Sequence, residues 1–388
     1  MKVICDRGAL VEATNLAAGV VSTRTPRPQL TCLKLEARAE GGSGAGSLTL
    51  SATDGEVSLR LATRHVEVQA DGQALAPADK LRQIVAAQEQ DPTLSIEATD
   101  DKCEIKGAGA RYNVFGYPAS EFPPLPELPA PEQAADLFDI DADLLSALVQ
   151  RTIFSTAREN SRYAINGVLM KREGKKIAMV ATDGRRLALA RGACRPHEAA
   201  GDGGQCIVPT KALSLVNKLL ATAGDTVRVA VTDNQIMFDF GAGSEEEGAM
   251  LASNLVEGTF PPYEDVLPTD QDKRATLDAD VLGSAVRRAA LLTNEDSRGV
   301  RMAFHGGEGP SLRLSSRAPQ MGEAEIEVEL KGYEGDDIEV GFNPAFIVDA
   351  LKVAPTDEVI FELKAQNRPG LLKAGADFLY VVMPVSLQ

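Results

Sequence analysis

Apolar positions along the chain fall into two rhythms, a three-and-four spacing that predicts helix and a short alternation that predicts strand. A strand over 2–5 gives way to a helix over 8–21, in which Leu10, Val11, Leu16, Ala17 and Val20 share a face. Strands are predicted at 30–37, 47–52, 56–61 and 65–69; a helix opened by Pro77 turns Leu81, Ile84 and Val85 inward, and strands at 94–98, 102–106 and 111–115 follow. The order then returns. A helix over 141–157 precedes strands at 164–171, 176–182 and 186–191, and a helix over 209–221 precedes strands at 226–231, 235–240 and 249–254. It returns once more, with a helix over 278–292, strands at 299–304, 311–315 and 323–330, a helix over 344–353, and strands at 358–364, 370–373 and 378–384. Proline has a preset φ and lacks an N–H that the first helical turn would leave unsatisfied, so Pro77, Pro209 and Pro344 are each expected at the first helical position. Short strands flanking single helices, six times over, make the class α+β.

The recurrence is visible in the residues themselves. The stretch 179–191, MVATDGRRLALAR, reads as two strands turning at Thr182-Asp183-Gly184, because Asp-Gly tolerates the positive φ of a tight hairpin turn. Residues 50–63, LSATDGEVSLRLAT, repeat it 129 positions earlier. Asp141-Ala142-Asp143-Leu144-Leu145 returns as Asp278-Ala279-Asp280-Val281-Leu282, Ser161-Arg162 as Ser297-Arg298, and Phe122-Pro123-Pro124 as Phe260-Pro261-Pro262. Solenoid repeats run to about 20–50 residues, so a period near a third of the 388-residue chain signals duplication of a whole domain. Three domains are expected, over 1–125, 132–258 and 269–388, with proline-rich connectors at 121–131 and 255–268 whose fixed φ keeps them extended.

Composition narrows the chemistry. With 44% hydrophobic and 25% charged residues the chain is globular in type. Its start is interrupted by Asp6, Arg7 and Glu12, unlike a signal peptide, and no apolar run approaches the roughly 20 residues of a membrane helix, so a cytoplasmic protein is expected. Cys5, Cys32, Cys103, Cys194 and Cys206 are odd in number and lack CxxC spacing, which favours reduced thiols over a disulfide frame or a zinc site. The glycine run from Gly41 to Gly46 lacks the Gly-Lys-Ser/Thr ending of a phosphate loop, Cys194 and His197 could offer two metal ligands, which are too few for a site, and the three histidines read as structural or solvated rather than catalytic. The net charge of −16 argues, taken alone, against nucleic acid.

Three motifs together change that reading. Ala181-Thr182-Asp183-Gly184-Arg185-Arg186-Leu187-Ala188, then Glu257-Gly258-Thr259-Phe260-Pro261-Pro262-Tyr263 with Val266-Leu267-Pro268, and the closing Tyr380-Val381-Val382-Met383-Pro384-Val385, resemble the bacterial DNA polymerase III β subunits, the sliding clamps. The resemblance covers the whole chain and its threefold layout. It implies three tandem clamp domains in a head-to-tail homodimer closed into a ring, with helices lining a central channel and antiparallel sheets outside. It implies a non-catalytic processivity factor without cofactor or metal. Its partners would be duplex DNA, a second copy of itself, the replicative polymerase α subunit, the clamp loader, and translesion and repair polymerases, ligase and mismatch-repair proteins that carry clamp-binding peptides; no membrane is involved.

The same resemblance assigns residues. A hydrophobic peptide cleft between the second and third domains would draw on Ile165, Thr182, Gly184, Arg185, Arg186, Leu187, Pro261, Val266, Asn343, Phe346, Val381, Met383, Pro384 and Val385. Apolar walls would accept Leu and Phe anchors, each worth roughly 1.5–3 kcal/mol when buried, while Arg186 or the hairpin backbone would hold the peptide's polar groups. DNA contacts are expected from Arg24, in the stiff basic loop 22–28, and from Lys80, Tyr163 and Lys211. The dimer seam would pair Tyr112 and Val114 with Leu291 and Leu292.

Two physical checks bear on the ring. Helices pack about 8–10 Å apart; six in a circle leave no bore once about 10 Å of helix thickness is removed, whereas twelve leave roughly 20–28 Å, enough for a duplex about 20 Å across. A dimer is therefore the smallest ring that fits. The six predicted helices sum to +1, which leaves −17 for the rest of a chain whose total is −16, so a mildly basic lining inside an acidic shell answers the charge objection. Two other readings were weighed against the clamp: a metal enzyme built on the paired carboxylates Asp54 and Asp183, and a structural or interaction module unrelated to DNA.

Overall fold

Each helix of the protein is launched by a strand. In the computed structural model the helices are α1 (Arg7–Ala18), α2 (Ala78–Ala87), α3 (Ala142–Ile153), α4 (Thr210–Leu219), α5 (Ala279–Ala289) and α6 (Pro344–Leu351). Strands Lys2–Asp6, Gly72–Pro77, Asp136–Asp141, Gln205–Pro209 and Lys273–Asp278 run straight into the first five, and Ile338–Phe342 reaches α6 through Asn343 alone. The residues described are all but 23, 41–43, 100, 158–162, 199–200, 222–223, 242–247, 294–298, 320 and 387–388, so the repeated pairs Ser161-Arg162 and Ser297-Arg298 lie outside them.

The residue at each junction ends a strand and caps a helix. Asp6 Oδ1 accepts from Ala9 N (2.8 Å), Asp141 Oδ1 from the N–H groups of Asp143 and Leu144 (3.1 and 3.2 Å), and Asp278 Oδ1 from those of Asp280 and Val281 (3.0 and 3.1 Å). Asn343 does the same for Ala345 N (3.0 Å). A side-chain oxygen there satisfies donors that the first turn cannot, and a carboxylate also meets the positive end of the helix dipole. Pro77 and Pro209 were expected at the first helical position; they are instead the last residues of strands Gly72–Pro77 and Gln205–Pro209. Both strands lie at the edges of their sheets, where a missing N–H leaves no ladder bond unmade. Only Pro344 opens its helix from within.

Other boundaries moved for local reasons. α1 stops at Ala18 with Gly19 as its cap, short of the expected 21, and α3 stops at Ile153, short of 157. α5 tightens into one 3-10 turn, Ala290–Leu292. With the observed bounds the helices carry +3, because Arg7 falls inside α1, Asp141 and Asp278 fall outside as caps, and Lys352 falls outside α6. Among the described residues no helix is long and apolar enough to cross a membrane.

Among the described residues the strands form four sheets. One has five strands, ending at Arg111–Phe115, and another has four, ending at Gly322–Glu329. The other two have nine strands each, and each is assembled from two repeats. In one, strand Ala249–Asn254 pairs antiparallel with Val57–Thr63, setting Ala252 opposite Ser58. In the other, Phe378–Val382 pairs antiparallel with Arg186–Ala193, setting Val381 opposite Leu187. The middle repeat thus gives one of its sheets to each neighbour. For that reason the chain packs as two units, Met1–Ser146 with Cys194–Gly204 and Lys211–Leu255, and Ala147–Ala193 with Gln205–Thr210 and Val256–Gln388. All five cysteines are buried, and burial pushes the Cys5 and Cys103 thiols up to about 12.

Candidate partner-binding site

The two Asp-Gly hairpins fold identically, bond for bond. At the first, Thr53 Oγ1 donates to Val57 O (3.0 Å) and accepts from Gly55 N (3.1 Å), while Asp54 Oδ1 accepts from the N–H groups of Glu56 and Val57 (2.9 and 2.8 Å). At the second, Thr182 Oγ1 donates to Arg186 O (2.7 Å) and accepts from Gly184 N (3.1 Å), while Asp183 Oδ1 accepts from the N–H groups of Arg185 and Arg186 (2.9 and 3.1 Å). Gly55 and Gly184 sit at φ 95° and 83°, a conformation that any Cβ would strain. The turn is thus fixed by threonine, aspartate and glycine in fixed order, which is why that tripeptide carries the repeat.

The other oxygen of each aspartate holds a cation, and the same cation bonds a carbonyl just past the first helix of its repeat. In the first repeat the cation is Lys211 of α4, whose Nζ donates to Asp54 Oδ2 and to Val20 O (2.8 Å). In the second it is Arg186 of the hairpin itself, which donates through Nε to Asp183 Oδ2 (3.1 Å) and through Nη2 to Phe154 O (2.7 Å). Arg186 also donates through Nη1 to Asp349 Oδ2 of α6 (2.9 Å) and lies over the rings of Phe346 and Phe154, 4.4 and 5.4 Å from their centroids. Tyr380 closes the cluster by donating to Phe346 O (2.9 Å) with its ring 5.8 Å from that of Phe154. Burial acts to lower the Arg186 pKa, but Asp349, Tyr380 and Asp183 outweigh it and raise it. Burial acts to raise that of Asp54, and Lys211 with the two backbone donors outweighs it, so the carboxylate is held below its usual range.

These bonds assign work to two residues that the sequence gave another. Arg186 was expected to hold a partner's polar groups, and all three of its nitrogens are already engaged within the fold. Lys211 was expected on DNA phosphate, and its ammonium joins α4 to the hairpin and to the end of α1. The paired carboxylates Asp54 and Asp183 are both consumed by turn and cation, and among the described residues no group of three or more His, Cys, Asp or Glu side chains could hold a metal ion. Phe154 and Asp349 were not singled out from the sequence, and Tyr380 only as part of the closing motif, although a lone acid in the apolar run PAFIVDAL was a signal of a partner within the fold.

The other residues expected to form a cleft differ in burial. Ile165, Leu187 and Val381 belong to one apolar cluster with Val180, Phe260, Tyr263 and Leu371 and are almost wholly buried. Beyond Val382 the chain leaves the sheet but stays tied down: Met383 N donates to Arg185 O (2.9 Å) and Val385 N to Gly341 O (2.8 Å). Met383 and Val266 are left 38% and 45% exposed, large apolar side chains at the surface. Pro261, Pro384, Val385 and Phe346 are half-buried, Gly184 and Arg185 exposed, Thr182 is buried within its turn, and Asn343 caps α6.

Three family models of the DNA polymerase III beta subunit match in series, the N-terminal domain over 1–126, the central domain over 139–262 and the C-terminal domain over 264–386. A beta sliding clamp of Pseudomonas putida is 32% identical over 384 residues, 98% of this chain and 99% of that one. The chain belongs to the DNA polymerase III beta subunit family. A sliding clamp of Caulobacter vibrioides is likewise 32% identical, over 99% of this chain and 100% of its own. The crystal structure of the Pseudomonas aeruginosa clamp bound to griselimycin matches with a TM-score of 0.88 at 32% identity, covering 100% of both chains. The fold is three clamp domains of mixed helices and antiparallel sheets, and the chain is a processivity factor of DNA replication.

Within this clamp, Arg24 and Lys80 are exposed and Tyr163 is 44% exposed. Asp79, the neighbour of Lys80, accepts from Arg82 Nη2 (3.3 Å) and Gln83 Nε2 (2.9 Å). Tyr112 and Val114 are half-buried on strand Arg111–Phe115, the Tyr112 hydroxyl accepting from Gln88 Nε2 (2.8 Å). Leu291 is 73% exposed. The sequence missed Phe115 and Met321, which are 74% and 63% exposed beside the same elements.

Two outcomes test the cation clasps. Arg186→Met strands Asp183 and Asp349 and should lower stability by roughly 1–3 kcal/mol, below the cost for a fully buried pair because Asp349 is about a third exposed; a denaturant midpoint within error of wild type would refute the clasp. Asp54 supplies stability that is complete above about pH 4 and is lost as pH falls through its depressed folded value. The urea midpoint should therefore fall further between pH 7 and pH 3 in the wild type than in Asp54→Asn.

Proposed function

We propose that two copies of this clamp close head to tail into a ring around duplex DNA, and that the cleft of the second unit tethers polymerases and other DNA enzymes by short peptides. The protein itself then catalyses nothing; topology, rather than affinity, keeps the enzyme on its template. The domains behind this reading are those expected from the sequence, 1–125, 132–258 and 269–388.

One observation carries the dimer. The three most exposed large apolar side chains among the described residues flank two unpaired sheet edges, Phe115 on strand Arg111–Phe115, and Leu291 and Met321 beside strand Gly322–Glu329. An open edge with apolar flanks is a template for another chain. The edges are also opposite in charge. Glu323, Glu325, Glu327 and Glu329 alternate along one, while Arg111 on the other, with Lys102 and Lys106 on the strand beside it, outnumber Glu104. Joining one to the other between copies pairs unlike charge, leaves the seam head-to-tail, and closes when the rotation allows. Tyr112, Val114, Leu291 and Leu292 line that seam, with Phe115 and Met321 added.

For DNA, a helical set that carries +3 in a chain of −16 favours a lining that attracts phosphate weakly. Strong pairing would brake sliding. Arg24, Lys80 and Tyr163 are the proposed contacts, and Lys211 joins them only by leaving Asp54. For partners, the exposed apolar side chains of Met383 and Val266, together with the cluster of Ile165, Leu187 and Val381, suit the apolar anchors of a peptide from the polymerase α subunit, the clamp loader, translesion and repair polymerases, ligase or mismatch-repair proteins. Thr182, Gly184, Arg185, Arg186, Pro261, Asn343, Phe346, Pro384 and Val385 frame it.

Replacing Leu291 and Leu292 together by glutamate should convert a dimer into monomers by light scattering at micromolar concentration, and the wild type should persist on nicked circular DNA but leave linear ends; an unchanged mass would remove the seam. Deleting residues 383–388 should abolish binding of a fluorescent peptide with Leu and Phe anchors while the mass stays dimeric. Loss of both would make the tail a structural element.

A further inference from the structure

The first unit holds a groove of about 240 Å³ bounded by Thr53, Gly55, Ser58, Ala252 and Asn254 on one side and by Pro123 and Pro124 of the first connector on another. Adding 129 to the first five numbers gives Thr182, Gly184, Leu187, Val381 and Met383, and the two prolines repeat as Pro261 and Pro262. The correspondence is geometrical as well. Ser58 faces Ala252 across strands as Leu187 faces Val381. Asn254 N donates to Glu56 O at 2.9 Å, as Met383 N donates to Arg185 O at 2.9 Å. The same hairpin, neighbouring strand and proline connector therefore recur in each unit.

The linings differ in one consistent way. Leu187, Val381 and Met383, apolar and bulky, are replaced by Ser58, Ala252 and Asn254, smaller or polar. Asn254 Oδ1 accepts from Gln235 Nε2 (3.0 Å), and the Ser58 and Thr53 hydroxyls are 2.9 Å apart. Arg27 offers donors at the groove and Glu56 acceptors. The three bulky apolar side chains are absent here, Leu30 and the connector prolines supplying the apolar lining that remains, and a neutral group that both donates and accepts suits Arg27, Glu56 and Asn254. The volume is below that of a pocket for a drug-sized ligand and has room for one or two side chains.

We propose that this groove is a second peptide site, the repeat-related counterpart of the first cleft, and that it takes an extended segment bearing glutamine or asparagine side chains. The comparison rests on reading the first cleft as a peptide site. The test uses two labelled peptides on the full-length dimer, acetyl-Ala-Gln-Asn-Gln-Ala-amide and a pentapeptide with Leu and Phe anchors. The amide-rich peptide should bind once per chain, weaken at least tenfold in Ser58→Arg, and be unmoved by Met383→Asp; the anchored peptide should respond the other way round. In the triple variant Ser58→Leu, Ala252→Val, Asn254→Met, the anchored peptide should rise from one to two sites per chain by calorimetry. No binding of the amide-rich peptide at millimolar concentration, binding indifferent to Ser58→Arg, or a stoichiometry still at one in the triple variant would each overturn the proposal. If the anchored peptide fails on the wild type, the first cleft alone is refuted, because the amide-rich peptide reports separately.

Discussion

A carboxylate with two duties organises each half of this clamp. One oxygen of the turn aspartate ties down the hairpin's own N–H groups, and the other grips a cation that reaches the carbonyl behind a helix. One bond set links three elements distant in sequence, at Val20, Asp54 and Lys211, and the other links the second hairpin to the end of α3, at Asp183 and Arg186 with Phe154. Because the cation comes from α4 in one case and from the hairpin in the other, the arrangement is maintained although the residue supplying it has moved. What is retained is a charge in a place, held by burial and hydrogen bonding together.

That constraint explains how one plan yields two kinds of surface. In the second repeat the cation stands over Phe346 and beside Tyr380, so the hairpin is fixed against α6 and the final strand, and the apolar cluster around Ile165, Leu187 and Val381 gains a rigid frame. In the first repeat Val57 takes the arginine's place in the strand and the clasp passes to Lys211. The groove beside it keeps its backbone but not its apolar walls. A rigid scaffold with exchangeable lining is how related sites acquire different ligands.

Much of this was legible in the residues. The Thr-Asp-Gly turns, the repeat and all six helices could be read because each has local punctuation: an aspartate, a glycine, a proline, an apolar stripe. The strands at Gly72–Pro77, Asp136–Asp141, Gln205–Pro209, Lys273–Asp278 and Ile338–Phe342 could not, since each runs into its helix without a turn to mark its end. The two-residue strand Arg195–Pro196 and the three-residue strand Gly332–Glu334 were too short to show a period. Lys211 reads as a DNA contact because its partner in the fold lies 157 positions away. Phe115 and Met321 gave no signal, because a residue flanks an open edge only by virtue of the order in which distant strands assemble.

The nine-stranded sheets have a bearing on how such a chain could arise and be rearranged. Each is stitched from two repeats through a single strand pairing, Ala252 with Ser58 in one and Val381 with Leu187 in the other. A third of this polypeptide, excised at its connectors, would carry away raw borders that its neighbour had covered. Gene duplication therefore had to be followed by mutual tailoring of those borders, and a cassette borrowed from a distant cousin would arrive with the wrong hem.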